Sequence, residues 1–257
     1  MSYPFITCHI FGGLGNQLYQ IFTTFAIASK YGLTPRFKRI YALGNNRHTY
    51  WDSFLDALGP FLLSETEYNL LLEESIDACR IYEYKEPGSP TDFSPIELPI
   101  SENYNIYLLH GYFQNIQYFE NTIRETIELL RIPEKMESIL AESTEKTIGI
   151  HFRIGDYKYY PDIHPILPNS YYQDKLIGIS TDSSTLIYYF CEDEDWEEVN
   201  ERIPVILTGK IYGELKRKKM ATDWEEMLAM SKCDELIVAN STFSWWANTI
   251  RETVRLL

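Results

Sequence analysis

Three short stretches carry residue types that chemistry needs. "HFRIGDY" places His151, Arg153 and Asp156 in close succession. At the end of a strand, His151 and Arg153 are two apart and share a face. Arginine suits a pyrophosphate because its planar fork donates two parallel hydrogen bonds. Asp156 then orients that arginine, accepts a proton, or simply forms a structural ion pair with it. "ANSTFSWW" places Asn240, Ser241, Thr242 and Ser244 where an apolar run gives way to a helix. First-turn N–H groups together with hydroxyls form an anion site, although any single hydroxyl there is also explained by N-capping. "CEDEDWEE" contains Asp193, Glu194 and Asp195, formally a D-x-D metal pattern. The helix dipole favours acids in a first turn and explains the run without a metal. Glu226 lies on a later helix, where it either accepts N–H groups from a guanine edge or belongs to a solvated face.

A fourth stretch, "FGGLGNQLYQ" at 11–20, has Gly12, Gly13 and Gly15 between an apolar run and a helix. Gly13 and Gly15 supply two glycines of the dinucleotide fingerprint. Leu18 occupies the third position, and no acid closes the next strand, so NAD is excluded; no Gly-Lys-Ser/Thr follows, so the P-loop is excluded too. What remains locally is a tight strand-to-helix turn with Asn16 as N-cap.

The elements that must position these residues follow from periodicity. "FITCHI" reads as a strand. Leu18, Ile21, Phe22, Phe25 and Ala26 give a helix stopped by Gly32, and "RFKRI" gives a second strand. Residues 51–85 mix helix and short strands, and 86–99, with four prolines, form a loop. A strand ends near His110, a helix runs from about Asn115 to Leu130, and Pro133 starts another. From Thr147 the alternation is regular. "TIGIHF", "TLIYYF", "IPVIL" and "ELIVAN" are expected strands; "YYQDKLIGI", "DEDWEEVN", "DWEEMLAMSKC" and "FSWWANTIRE" are expected helices. This is the rhythm of doubly wound α/β sheets, whose ligands bind beyond the strands' carboxyl ends. Those ends include the loop after His9–Ile10, "HFRIGDY", "CEDEDW", the "TGK" turn and "ANSTFS". The expected domains are 1–145 and 146–257.

Composition narrows the function. The 257 residues, 45% hydrophobic with a net charge of −14, describe a globular protein poorly suited to nucleic acid, which needs clustered cations. The one basic run, Lys216 to Lys219, reads as a solvated loop. Cys8, Cys79, Cys191 and Cys233 are scattered, with no zinc spacing, so no metal site is expected. No apolar run is long enough to span a bilayer. The N-terminal residues lack signal-peptide character, so a cytoplasmic protein is expected.

Taken together these motifs resemble the α-1,2-fucosyltransferase family, inverting enzymes that use GDP-fucose. "GGLGNQLYQIFTTFAIASKYG" is similar to the family's N-terminal signature, "GYFQNIQYF" to its central aromatic segment and "HFRIGDY" to its H-x-R-R-G-D-Y motif. "FCEDEDW", through Glu192 and Asp193, resembles its paired-acid segment, and "MLAMSKCDELIVANSTFSWWA" its last motif. The resemblance implies a GT-B architecture: two Rossmann-like domains facing across a cleft, acceptor on the N-terminal side and donor nucleotide in the C-terminal domain. It implies GDP-fucose as donor substrate, a galactose-containing glycan as acceptor, and no metal or other cofactor. By motif position, Arg153 meets the diphosphate and His151 the nucleotide. Asp193 belongs to the donor side, Glu226 stands where relatives carry a guanine-binding Asp, and Asn240, Ser241, Thr242 and Ser244 line phosphate and ribose. Asp156 is the candidate base. The glycine loop becomes the cleft wall opposite the donor, with Gly13 and Gly15 allowing close approach and Asn16 and Gln17 offered to the sugar or diphosphate. Two departures stand out. Ile154 replaces the family's second arginine, and the chain stops at Leu257, where relatives continue, an ending expected to leave a sheet edge bare.

Overall fold

The computed structural model describes residues 4–44, 47–139, 145–208 and 213–257. The chain divides into two compact units, Met1–Ile132 and Pro133–Leu257. No helix among the described residues is long and apolar enough to cross a membrane.

In the first unit, β1 (Phe5–Cys8) runs into α1 (Leu14–Tyr31) and then β2 (Thr34–Pro35). Gly32 ends α1 in the left-handed region, φ 64°, the conformation that glycine adopts without a Cβ clash. "RFKRI" contributes only β3 (Phe37–Lys38), which pairs with β6 (Leu62–Leu63) outside the main sheet. The short hairpin β4 (Ala42–Leu43) and β5 (Arg47–His48) lies between them. α2 (Glu65–Asp77) begins with a reciprocal Ser64–Glu67 capping box. β7 (Ile81–Lys85) and β8 (Ile106–His110) complete a parallel sheet of order β2-β1-β8-β7. The helix expected over 115–130 is broken into two 3-10 turns before α3 (Ile123–Leu129). Tyr118 and Phe119 in that stretch turn into the core.

In the second unit, α4 (Ile132–Glu137) precedes β9 (Thr147–His151), α5 (Asn169–Ile177), β10 (Leu186–Phe190) and α6 (Trp196–Ile206). β11 (Glu214–Arg217), α7 (Asp223–Ser231), β12 (Glu235–Ile237) and α8 (Thr242–Val254) follow. The parallel sheet runs β11-β10-β9-β12. In unit order this is 3-2-1-4, the opening of the doubly wound arrangement. Its core combines Ile148, Ile150 and Ile187 from the sheet and Phe152 and Ile154 from the segment after β9 with Tyr172, Val199, Ile203 and Ile206 from α5 and α6. Gly149 is required in β9, because a Cβ there would lie 2.9 Å from Leu236 and 3.0 Å from Cys233 Sγ.

Two expectations in this unit are corrected. "IPVIL" is not a strand but the end of α6 and the residue after it. Val199, Ile203 and Ile206 are buried at helical spacing while Val205 is exposed, so the apolar run is a helix face; short runs of this kind are ambiguous by periodicity alone. The strand is instead the polar "ELKR", mostly exposed at the sheet edge, where charge discourages further pairing. Lys216 and Arg217 therefore belong to a strand and not to a solvated loop. The "TGK" turn extends outside the described residues.

Candidate functional site

The order 3-2-1-4 creates a topological switch point between β9 and β12, the place where doubly wound sheets bind ligands. "HFRIGDY" leaves β9 there and "ANSTFS" leaves β12, so the fold brings the two polar motifs to one end of adjacent strands. Tyr157 links them. Its hydroxyl donates to the Asn240 carbonyl at 2.8 Å, and its ring lies 5.4 Å from the Arg153 guanidinium.

Arg153 is held from two sides. Nη2 donates to Asp156 at 2.6 Å and Nη1 to Glu192. Its side chain is 18% exposed, whereas that of Asp156 is 49% exposed. The Arg153–Asp156 pair is thus formed, with Glu192 from the paired-acid segment as its second carboxylate. The loop carrying both residues is pinned by Asp195, which is fully buried. Its carboxylate accepts the Gly155 N–H at 2.6 Å and is paired with Lys158 at 3.0 Å. Ile154 points into the core.

His151 is buried at the end of β9, its ring 5.8 Å from Phe243 in the first turn of α8. Burial, with the Arg153 guanidinium next, pushes its pKa down to about 3, so the imidazole is neutral. Its Nδ1 is buried without a hydrogen-bond partner among the described residues. A buried polar atom left unpaired is costly, and bound ligands are one way such atoms are satisfied.

The α8 motif divides its labour. Ser241 is the N-cap and accepts from the Phe243 N–H at 3.3 Å. Asn240 is exposed, and its amide donates to the Pro165 carbonyl at 2.8 Å. Thr242 opens the helix and is half-buried. Ser244 is fully buried and donates to the Ala239 carbonyl at 3.3 Å, so it fixes the turn from inside.

Asp193 pairs with Arg217 at 2.6 Å and with Lys219. These two cations hold its carboxyl below the usual range. Both come from the basic run at the carboxyl end of β11, a part of this pole that the sequence reading left out. Glu226 is half-buried and accepts the Met220 N–H at 3.2 Å. Burial raises its pKa.

In the first unit the glycine loop is arranged differently from expectation. Gly13 is the N-cap of α1, without a side-chain cap, and Asn16 lies inside the first turn. The left-handed residue is Gly12, φ 81°, where a Cβ would stand 2.6 Å from Asn16 Nδ2. Gly15 is buried in the helix. Asn16 Oδ1 accepts from Gln114 at 3.0 Å, tying the loop to the central aromatic segment. Gln17 is fully buried and donates to the Gly12 and His48 carbonyls at 3.1 and 2.8 Å. It braces the loop from behind. Glu86, not singled out in the sequence, accepts the Tyr112 and Phe113 N–H groups at 2.7 and 3.0 Å and holds the segment after β8.

The chain belongs to glycosyl transferase family 11, whose sequence model matches residues 5–257. It is 26% identical over 167 residues to the O-antigen biosynthesis glycosyltransferase WbnK of Escherichia coli, covering 58% of this chain and 53% of that protein. It is 25% identical over 275 residues to a galactoside 2-alpha-L-fucosyltransferase of Caenorhabditis elegans, covering 96% of this chain and 69% of that protein. The chain thus spans about half the length of the first relative and about two thirds of the second. Among solved structures it is similar to the NodZ alpha-1,6-fucosyltransferase co-crystallized with GDP. That match has a TM-score of 0.52 and 13% identity, over 97% of this chain and 93% of that one. The likeness is one of fold, a GT-B-like pair of Rossmann-like α/β units.

Proposed function

We propose that this member of glycosyl transferase family 11 transfers L-fucose from GDP-fucose to the 2-hydroxyl of a galactose-containing glycan, with inversion and without a metal ion. One observation carries the reading. The switch point between β9 and β12 gathers Arg153, the His151 imidazole, whose Nδ1 has no partner among the described residues, and the first turn of α8. The name of the Caenorhabditis elegans relative supports the linkage.

In the reaction the bond from C1 of fucose to the diphosphate breaks, and its electron pair stays on the phosphate oxygen. The acceptor oxygen bonds to C1 from the opposite face through an oxocarbenium-like transition state. A diphosphate leaves without a proton, so it needs fixed donors where charge develops. Arg153 and the first-turn N–H groups of α8 are those donors, with Asn240, Ser241 and Thr242 beside phosphate and ribose. Ser244 acts by holding the turn. The diphosphate competes with Glu192 and Asp156 for the Arg153 fork. Neutral His151 offers nitrogen to the nucleotide without adding charge, and Glu226 faces the guanine edge. Asp193 keeps Arg217 and Lys219 at the same pole. Asp156 accepts the proton of the acceptor hydroxyl. In the first unit, the loop of Gly13, Gly15 and Asn16, braced by Gln17, serves transfer far more than GDP binding.

Calorimetry with GDP, UDP and ADP tests the donor. GDP is expected to bind at least tenfold more tightly than the others; equal affinities or no binding would overturn the assignment. A second reading, a nucleotide- or glycan-binding protein without catalysis, is favoured by Ile154, which fills the core where the resembling motif has a second arginine. GDP binding with neither transfer nor donor hydrolysis would identify it.

A further inference from the structure

The first unit's sheet also has a switch point, between β1 and β8 in the order β2-β1-β8-β7. Cys8 is in register with Leu109, and the His9 N–H donates to the Leu109 carbonyl at 3.0 Å, continuing the ladder past β1. His9 and His110 are therefore neighbours, with ring centroids 4.9 Å apart. Lys85 is in register with His110, so Glu83, two residues earlier, shares that face. Glu83 Oε1 lies 3.6 Å from His110 Nδ1. One ligand atom from each of His9, Glu83 and His110 falls within 4.8 Å of the others. Two imidazoles and a carboxylate are the donor set of a borderline divalent transition metal such as Zn2+. Bonds of about 2.0–2.2 Å to one ion require these atoms to close in by roughly an ångström, which exposed side chains accomplish by small rotations. All three are exposed, leaving room for water as further ligands. The Lys85 ammonium, 3.5 Å from Glu83 Oε2, is the group the ion displaces, and its side chain is 70% exposed and free to swing out. The net charge of −14 favours a cation.

We infer that His9, Glu83 and His110 form a divalent transition-metal site of the Zn2+ class that clasps β1, β8 and the edge strand β7 together. None of the three ligands is among the residues assigned to fucosyl transfer, and the inference stands whether or not the chain is a fucosyltransferase. Linear spacing hides it, because the ligands come from three strands widely separated in sequence.

The test is titration of the full chain, stripped with chelator, with Zn2+ alone. Calorimetry is expected to show one site, and Zn2+ to raise the melting temperature. His9→Ala, His110→Ala and the near-isosteric Glu83→Gln should each weaken binding at least tenfold and remove the thermal shift. His164→Ala should do neither, and circular dichroism monitors folding of every variant. Substituting Co2+ should give the visible absorption of a nitrogen- and oxygen-ligated ion. No saturable site, or a site that survives in Glu83→Gln and His110→Ala alike, would overturn the inference.

Discussion

The Tyr157 hydroxyl donates to the Asn240 carbonyl over 2.8 Å, joining the loop after β9 to the turn before α8. The same ring supports the Arg153 guanidinium. Tyr157→Phe removes one hydrogen bond and leaves the ring. A net hydrogen bond contributes about 1 kcal/mol to the folded state, so the melting temperature should fall by a few degrees, and GDP affinity should fall with it because the tie positions Arg153 beside α8. Unaltered affinity by calorimetry would show that the two motifs need no such tie.

Arg153 is the sole arginine of the motif, and Ile154 beside it is packed in the core. Removing one fixed donor in comparable oxyanion sites costs roughly 3–4 kcal/mol of transition-state stabilisation. Arg153→Ala should therefore lower kcat at least a hundredfold while circular dichroism stays native. Arg153→Lys should recover only part, since an ammonium lacks the fork. Near-normal turnover by the alanine variant would remove Arg153 from the reaction.

His151 makes a prediction about pH. The native imidazole stays neutral down to about pH 3, whereas the unfolded one protonates below its ordinary value of 6.5. The unfolded state thus binds a proton that the native state refuses, and stability falls as pH drops through that window. Between pH 7 and pH 5 this one group removes about 2 kcal/mol. Denaturant unfolding at both values should show a smaller loss for His151→Asn than for the unsubstituted chain. Identical losses would mean that His151 titrates normally.

Gly12 is the loop's left-handed residue, and a Cβ there meets the Asn16 amide at 2.6 Å. Gly12→Ala should destabilise the protein by about 1–2 kcal/mol and disturb the Asn16–Gln114 contact. If the loop serves transfer, kcat falls while GDP affinity is kept. An equal fall in both, measured by kinetics and calorimetry, would place the loop at the nucleotide.

Much of the second unit was legible because its strands and helices alternate with clear periods. Gly32 likewise announced its helix end, and Pro133 its helix start. "IPVIL" failed because an apolar pentapeptide fits a buried strand and a helix face equally. "ELKR" failed because an edge strand needs no apolar alternation. The motif residues could be named from the sequence, but their partners could not. Arg153 with Glu192, Gly155 with Asp195 and Tyr157 with Asn240 are long-range contacts set by strand order. Polar type alone marks Gln17 and Ser244 as candidate ligand groups; the fold buries both, with Gln17 Nε2 and Ser244 Oγ donating to backbone carbonyls and Gln17 Oε1 left without a partner among the described residues. The His9, Glu83 and His110 cluster is invisible in the linear sequence for the same reason.

Fucosyl transfer to a galactoside 2-hydroxyl is tested most directly by the linkage of the product. The purified chain is incubated with GDP-fucose and a panel of galactosides, with and without EDTA, and the products are examined by NMR. An α-1,2-fucosylated galactoside, formed at the same rate in both arms, is the predicted result. Another linkage, dependence on a metal ion, or no transfer beside intact GDP binding would contradict it.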